Sequence, residues 1–271
     1  MAVRYDFHLH SDFSGDCDTP AVQMAEQARR TGLEGLCFTE HYDPDFPVQE
    51  NDFSLDFEGY FHSAAELRRR YEGSLWIGTG MEFGIQPHLG QTLSSLAAQY
   101  PFDFIIVSQH ILNRQDPYYP EYFSGRTEHA CYTEFLQAQY TTLKCFDPAS
   151  FDTLGHLDYI VRYGPNKNLC YSYEKYADCI DPVLRFLIEN GKCLELNTGG
   201  FKYGLGEPNP CTGVLRRYRE LGGELITIGS DAHLPQHLCY DFDKAATLLQ
   251  ELGFRYYTVF QNRTPHVLPL E

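Results

Sequence analysis

Near its amino terminus the chain reads Val3-Arg4-Tyr5-Asp6-Phe7-His8-Leu9-His10, a short apolar strand that ends in two imidazoles. Side chains two apart on a strand project to the same side. His8 and His10 can therefore grip one metal ion, for which imidazole is the commonest protein ligand. Alone, the pair reads equally well as two histidines beside a first strand. The other strand-like runs repeat the pattern. Residues 33–38 continue into Thr39-Glu40-His41, 75–81 into Glu82, 102–109 into His110, 153–155 into His156, and 224–230 into Asp231, with His233 two residues on. Six of the eleven histidines thus fall at the ends of apolar runs, and nitrogen with carboxylate donors suits a divalent ion.

Strand ends meet only if the elements between them bring them together. Residues 11–18 are polar and turn-rich, Thr19 can cap a helix with Pro20 at its first position, and that helix runs to Gly32. The spacing predicts further helices over 56–71, 89–99, 128–145, 173–189, 213–221 and 243–252. Strands fall between them, and a last one at 254–260 precedes a short tail. Short apolar strands alternating with amphipathic helices mean parallel βαβ units. Seven or eight such units favour a closed barrel, with an open parallel sheet as the alternative. In a barrel the C-terminal strand ends surround one mouth, where such enzymes keep their active sites. No composition break or internal repeat divides the chain, so residues 1–271 read as one domain.

Composition excludes several classes. An apolar fraction of 43% supports a sizeable core. A net charge of −16 repels a phosphate backbone, so nucleic acid is not an expected partner. The longest basic run, Arg68-Arg69-Arg70, lies on a predicted helix and reads as a solvated face. Nine cysteines, odd in number and without a Cys-x-x-Cys pair, read as reduced thiols rather than a disulfide framework. With no apolar leader and no membrane-length run, the expected location is the cytoplasm and no membrane partner is expected.

Taken in order, the strand-end motifs resemble the PHP (polymerase and histidinol phosphatase) family. They are Asp6-Phe7-His8-Leu9-His10-Ser11 followed by Asp16, Thr39-Glu40-His41, Gly80-Met81-Glu82, Ser108-Gln109-His110, Gly155-His156-Leu157-Asp158 and Gly229-Ser230-Asp231-Ala232-His233, spanning residues 6–233. Each is weak alone, whereas the ordered set is specific. The pattern from Gly155 to Arg162, and Glu195-Leu196-Asn197-Thr198, look most like the stand-alone histidinol-phosphate phosphatases. The resemblance implies an α/β fold, a distorted (β/α)7 barrel, holding up to three divalent ions of zinc, manganese or iron. It assigns His8, His10, Glu82 and Asp231 to a first ion, Glu82, His110 and His156 to a second, and Asp16, His41 and His233 to a third. Asp12 and Asp18 lie close to Asp16 and read as loop-capping carboxylates. Glu82, with two oxygens, would bridge two ions roughly 3.5–4 Å apart, the separation two-metal hydrolases use.

The activity so implied is hydrolysis of a small phosphomonoester, L-histidinol phosphate, in histidine biosynthesis, by in-line attack of a metal-bridging hydroxide. Asp231 and His233 are the candidate proton sources for the leaving alkoxide. Arg162 is expected to clamp a phosphate oxygen through its donor fork, and Lys202 to face the phosphate from the loop after Asn197. Each otherwise reads as an exposed surface cation. On this reading Arg162→Ala raises KM while metal content stays unchanged. His237 is a candidate lining residue of the substrate pocket, and residues 118–123, rich in tyrosine, are expected to roof it. His62, His88, His129 and His266 read as ordinary surface or helix-end histidines. Other readings are a phosphoesterase for a nucleotide, sugar phosphate or phosphotyrosine, a non-catalytic metal-stabilised scaffold, and a C–N bond hydrolase on a similar barrel.

Overall fold

Each apolar run becomes a strand buried on both faces, as a parallel sheet covered by helices requires. The computed structural model describes residues 2–47 and 52–270. Its elements are β1 (Tyr5–Leu9), α1 (Ala21–Thr31), β2 (Gly35–Tyr42), α2 (Phe57–Arg70), β3 (Trp76–Gly84), α3 (Gly90–Gln99), β4 (Phe104–Ser108), α4 (Glu128–Leu143) and β5 (Thr153–Leu154). They continue with α5 (Ala177–Glu189), β6 (Cys193–Asn197), α6 (Gly199–Lys202), α7 (Thr212–Glu220), β7 (Ile226–Gly229), α8 (Phe242–Glu251), β8 (Tyr256–Gln261) and β9 (Thr264–Pro269).

Strands β1 to β7 pair in parallel and in sequence order, forming a nearly closed barrel within a single domain. The seam between β1 and β7 is stitched at the C-terminal end. There Asp231 N–H donates to His8 O at 2.7 Å and His10 N–H to Ala232 O at 2.9 Å. Asp6 reinforces the seam, its carboxylate accepting from Ser230 N–H at 3.0 Å, Ser230 O–H at 2.6 Å and Cys239 N–H at 3.0 Å. The join is close enough to require a glycine. A Cβ on Gly229 would stand 2.2 Å from the Cβ of His8 and 2.7 Å from Glu195 Oε1.

The expected strand and helix order is observed, with differences that have physical causes. Strands β1, β4, β5 and β7 are shorter than their apolar runs, so His10, His110, His156 and Asp231 lie just beyond them, whereas β2 and β3 run on through His41 and Glu82. Thr19 does not cap α1: its hydroxyl donates to His233 O at 2.8 Å. Pro20 opens the helix and Asp12 accepts from Ala21 N–H instead, while Gly32 closes it with φ of 80°. Arg68 is exposed, as a solvated face requires, yet it is anchored at its tip. It donates to Ile77 O at 2.8 Å and Asp103 Oδ2 at 2.6 Å, while Arg69 and Arg70 pair with Glu66 and Glu26 at the surface.

The short tail is a strand. β9 pairs antiparallel with β8 through a two-residue turn at Asn262 and Arg263, both with positive φ. This hairpin covers the barrel's N-terminal end, where Arg263 N–H donates to Asp103 O at 2.9 Å and Phe260 packs on Phe104. All nine cysteines are free thiols. Among the described residues no helix is long and apolar enough to cross a membrane.

Candidate metal centre

The strand ends do converge. His8 Nε2 lies 3.1 Å from Glu82 Oε2 and 3.9 Å from Asp231 Oδ1, and His10 Nε2 lies 3.6 Å and 3.5 Å from the same two oxygens. Only the first is an ordinary hydrogen-bond length, and among the described residues His10 Nε2 is sealed from solvent with no hydrogen-bond partner. The distances do fit donors arranged around one cation. Ligand distances of roughly 2.1 Å in a tetrahedron put neighbouring ligand atoms roughly 3.4 Å apart. His8, His10 and Glu82 bring three donor atoms within reach of one divalent ion, as do His8, His156 and Asp231. Asp231 is placed by a left-handed backbone, with φ of 55°, a conformation few non-glycine residues adopt.

Glu82 is 0% exposed and turns its other oxygen to a second group. Its Oε1 lies 2.9 Å from His156 Nε2 and 3.3 Å from His110 Nε2. On the Oε2 side His41 Nδ1 approaches to 3.1 Å. Asp43, unforeseen from the sequence, joins the two groups. His110 Nδ1–H donates to its Oδ1 at 2.8 Å, and its Oδ2 lies 3.6 Å from His41 Nδ1. His41, Asp43 and His110 are thus a further possible donor group, alongside Glu82, His110 and His156.

Towards the solvent, Asp16 Oδ2 lies 3.2 Å from His233 Nε2 and 3.7 Å from His41 Nε2, its side chain 31% exposed. The rings of His41 and His233 both stack on His10, at 4.2 Å and 4.3 Å. His10, His41 and His233 together bring three donor nitrogens within reach of one ion. His10 therefore sits between two groups, where the sequence reading gave it to one.

Charges are strongly coupled here. Burial opposes ionisation of Glu82, yet His8, His41 and His110 hold its carboxyl well below the usual range. Burial likewise opposes charge on His8, but Glu195, Glu82 and Asp231 raise its pKa well above normal. His41 is pushed up to about 9 by Asp16 and Glu82 against its burial. His10, buried beside His41 and His233, is held well below normal. Packed carboxylates and imidazoles of this kind share charge that a divalent cation would neutralise.

Behind the donors lies a layer that sequence reasoning missed. Glu195 on β6 accepts from His8 Nδ1–H at 2.6 Å, from His156 N–H at 2.8 Å and from Asn197 Nδ2–H at 3.1 Å. Glu40 accepts from Ser11 N–H and from the hydroxyls of Ser11 and Ser14, and Ser14 Oγ lies 3.1 Å from His10 Nδ1. A second acceptor that fixes a ligating imidazole's orientation is the usual companion of a metal site. One signal was available, since Glu195 and Asn197 are polar residues two apart inside an otherwise apolar strand run.

Arg162 is 3% exposed, which overturns its alternative as a surface cation. Its Nε–H donates to Asn209 Oδ1 at 2.8 Å, NH1 to Asp231 Oδ2 at 2.7 Å and NH2 to Asn197 Oδ1 at 2.8 Å. Despite burial, Arg162 and His8 hold the Asp231 carboxyl well below the usual range. A carboxylate so paired with Arg162 is poorly suited to donate a proton. Lys202 Nζ donates to Asp231 O at 2.9 Å, and burial lowers its pKa.

Arg162, Lys202, His233 and His237 line a cavity of about 640 Å³ at the barrel mouth, above His41, His110, His156 and Asp231. Of the expected roof, Tyr118 and Tyr119 line this cavity, while Tyr122 and Phe123 are buried in the core. His62, His88 and His129 pair instead with Glu66, Asp45 and Tyr176, and His266 is exposed on β9.

Residues 6–199 match the family described as PHP domain. The chain is 31% identical over 258 residues to a histidinol-phosphatase of Lactococcus lactis subsp. lactis, spanning 95% of this chain and 94% of that protein. It is 32% identical over 259 residues to a probable histidinol-phosphatase of Thermotoga maritima, spanning 94% of each. A crystal structure of the Lactococcus lactis histidinol phosphate phosphatase, complexed with zinc, L-histidinol and phosphate, superposes with a TM-score of 0.90 at 30% identity, covering 97% of this chain and 98% of that one. The fold is shared also by a putative histidinol phosphatase of Listeria monocytogenes, with a TM-score of 0.73 at 18% identity over 89% of this chain and 99% of that one.

Proposed function

Because the chain belongs to the PHP-domain family, we propose that it is a metal-dependent phosphoric monoester hydrolase acting on L-histidinol phosphate. The whole chain, residues 1–271, acts as one domain on this reading, in the cytoplasmic pathway of histidine biosynthesis. The observation that carries it is Glu82, a buried carboxylate whose two oxygens face separate imidazole groups beneath a cavity walled by Arg162 and Lys202. Three divalent ions are assigned: one to His8, His10, Glu82 and Asp231, one to Glu82, His110 and His156, and one to Asp16, His41 and His233. Zinc, manganese and iron all suit these donors. Such ions, when bound, neutralise phosphate oxygens and lower the pKa of water toward neutrality.

The chain's own residues do the rest. Arg162 is held rigid by three hydrogen bonds, leaving two of its five N–H groups for a phosphate oxygen. Lys202 adds a second cation to the same wall. His233, partly exposed at the mouth, is the residue suited to hand a proton to the leaving alkoxide, because Asp231 is kept ionised. His237 lines the alcohol side of the pocket.

The decisive experiment is phosphate release from L-histidinol phosphate by purified protein, before and after chelation. Activity should vanish with the metal and return on adding zinc or manganese. Full turnover by metal-free protein would defeat the proposal. A milder variant probes the supporting layer. Glu195→Gln removes the charge that His8 Nδ1–H meets at 2.6 Å, and metal affinity should fall about 10–100-fold, read by competition with a chromogenic chelator.

A further inference from the structure

Arg162 is only as well placed as the groups that hold it. A guanidinium carries five donors and no acceptor, so each partner must turn an oxygen toward it. Two of its three partners are asparagines, whose amides have a donor end as well. Asn209 presents Oδ1 to Arg162 Nε–H at 2.8 Å, which sends its NH2 the other way in search of an acceptor. Asp158, in the loop after β5, supplies it. Asn209 Nδ2–H donates to Asp158 Oδ1 at 2.6 Å, and the other carboxylate oxygen accepts from Cys211 N–H, just before α7, at 2.8 Å. Asp158 and Asn209 are 1% and 0% exposed, so bulk water does not stand in for either partner.

Asn197 repeats the arrangement. Its Oδ1 accepts from Arg162 NH2 at 2.8 Å while its NH2 donates to Glu195 Oε2 at 3.1 Å. Backbone bonds clip the two asparagines together, Asn197 N–H to Asn209 O at 2.7 Å and Asn209 N–H to Asn197 O at 2.9 Å. The two branches lead to different places. Glu195 also accepts from His8 Nδ1–H, so the Asn197 branch runs into the metal donors. The Asn209 branch ends on Asp158 and reaches Arg162 without passing through one. Its polarity fixes which way the Asn209 amide points, and with it the tilt of the guanidinium that lines the cavity.

Resting on the phosphomonoesterase reading, in which Arg162 holds a phosphate oxygen, we infer that Asp158 is a positioning residue for that clamp and acts through Asn209. Its carboxylate orients the Asn209 amide so that the oxygen meets Arg162 and the guanidinium is aimed at the phosphate.

The test exchanges the two polarities. In Asp158→Asn the new amide keeps an oxygen for Cys211 N–H and turns its NH2 toward Asn209, which must flip and set donor against donor at Arg162 Nε. In Asn209→Asp two carboxylates meet at the same short contact. The double variant Asp158→Asn/Asn209→Asp restores a donor facing an acceptor at both contacts. Each single variant should raise the Kd of inorganic phosphate for the metal-loaded protein, read by titration calorimetry, about 5–100-fold, the equivalent of one unsatisfied buried group. KM for L-histidinol phosphate and for phenyl phosphate should rise alike, with kcat changing less, as loss of uniform binding does. Metal content should stay within about twofold of the parent. The double variant should recover most of the lost phosphate affinity, because contacting residues couple non-additively. A purely structural role lowers the Tm of the single variants without moving phosphate affinity, and that result overturns the inference. So does a double variant no better than the singles, or a KM rise confined to one of the two substrates. Should the single variants fail to fold, the double variant decides alone. Parental phosphate affinity then supports the pairing, and a raised Kd or failure to fold overturns it. A parent that binds phosphate but does not hydrolyse L-histidinol phosphate refutes the substrate reading itself, a distinct result.

Discussion

Glu82→Gln is expected to lower kcat by at least about 10³-fold and to strip metal from the protein. The side chain keeps its shape but loses its charge, and one oxygen is exchanged for an amide NH2 that cannot ligate. Five imidazole nitrogens, from His8, His10, His41, His110 and His156, lie within 3.6 Å of the carboxylate. Two of the proposed ions share it, so both are weakened by one substitution. Metal stabilisation of a phosphoryl transition state is worth several kcal/mol, and each roughly 1.4 kcal/mol is a tenfold change in rate. Ions per chain, measured by elemental analysis, should fall together with phosphate release. A variant with parental metal content and kcat within about twofold would remove Glu82 from the centre.

Arg162→Ala should be the second large effect, and it should act on the fold as well as on catalysis. The guanidinium is the counter-charge of a buried Asp231 and fills acceptor sites on Asn197 and Asn209. Breaking a buried pair from one side leaves an uncompensated charge, at a cost of about 3–5 kcal/mol. For a domain this size that corresponds to roughly 6–20 °C in Tm. Released from its partner, Asp231 no longer presents Oδ1 to His8 and His10 in fixed geometry, so metal content should fall while KM rises. This revises the expectation drawn from the sequence, in which KM alone changes. Calorimetry, elemental analysis and steady-state kinetics on Arg162→Ala and Arg162→Lys separate the two accounts. A KM effect with parental Tm and metal content would restore the simpler one.

The contrast between these residues shows where sequence reading ends. Glu82 is identified by local information: a carboxylate at the end of an apolar run, in register with imidazoles ending other runs. Arg162 is equally visible as a residue type, but its partners come from the end of β6 and the loops after β6 and β7, and only closure of the barrel brings them to it. Asp43 and Glu195 are harder still. Nothing near Asp43 in the sequence announces His110, 67 residues away. Glu195 meets His8 across 187 residues because β1 and β7 close against each other and β6 lies alongside. The hairpin of β8 and β9 was half legible. β8 is an apolar run with a buried centre, whereas β9 is largely exposed and lacks the periodicity that marks a buried strand.

By itself the sequence determined the α/β class and the order of strands β1 to β8, and offered nine candidate donor residues, because apolar periodicity and residue type are properties of short segments. The tertiary structure decided which carboxylate oxygen each imidazole nitrogen faces, and that Arg162 is buried against Asp231. Those facts are set by distances of a few ångströms between residues tens to hundreds apart in sequence. Coulomb energies and hydrogen bonds at that range depend on position in space and on burial, neither of which a linear order of residues contains.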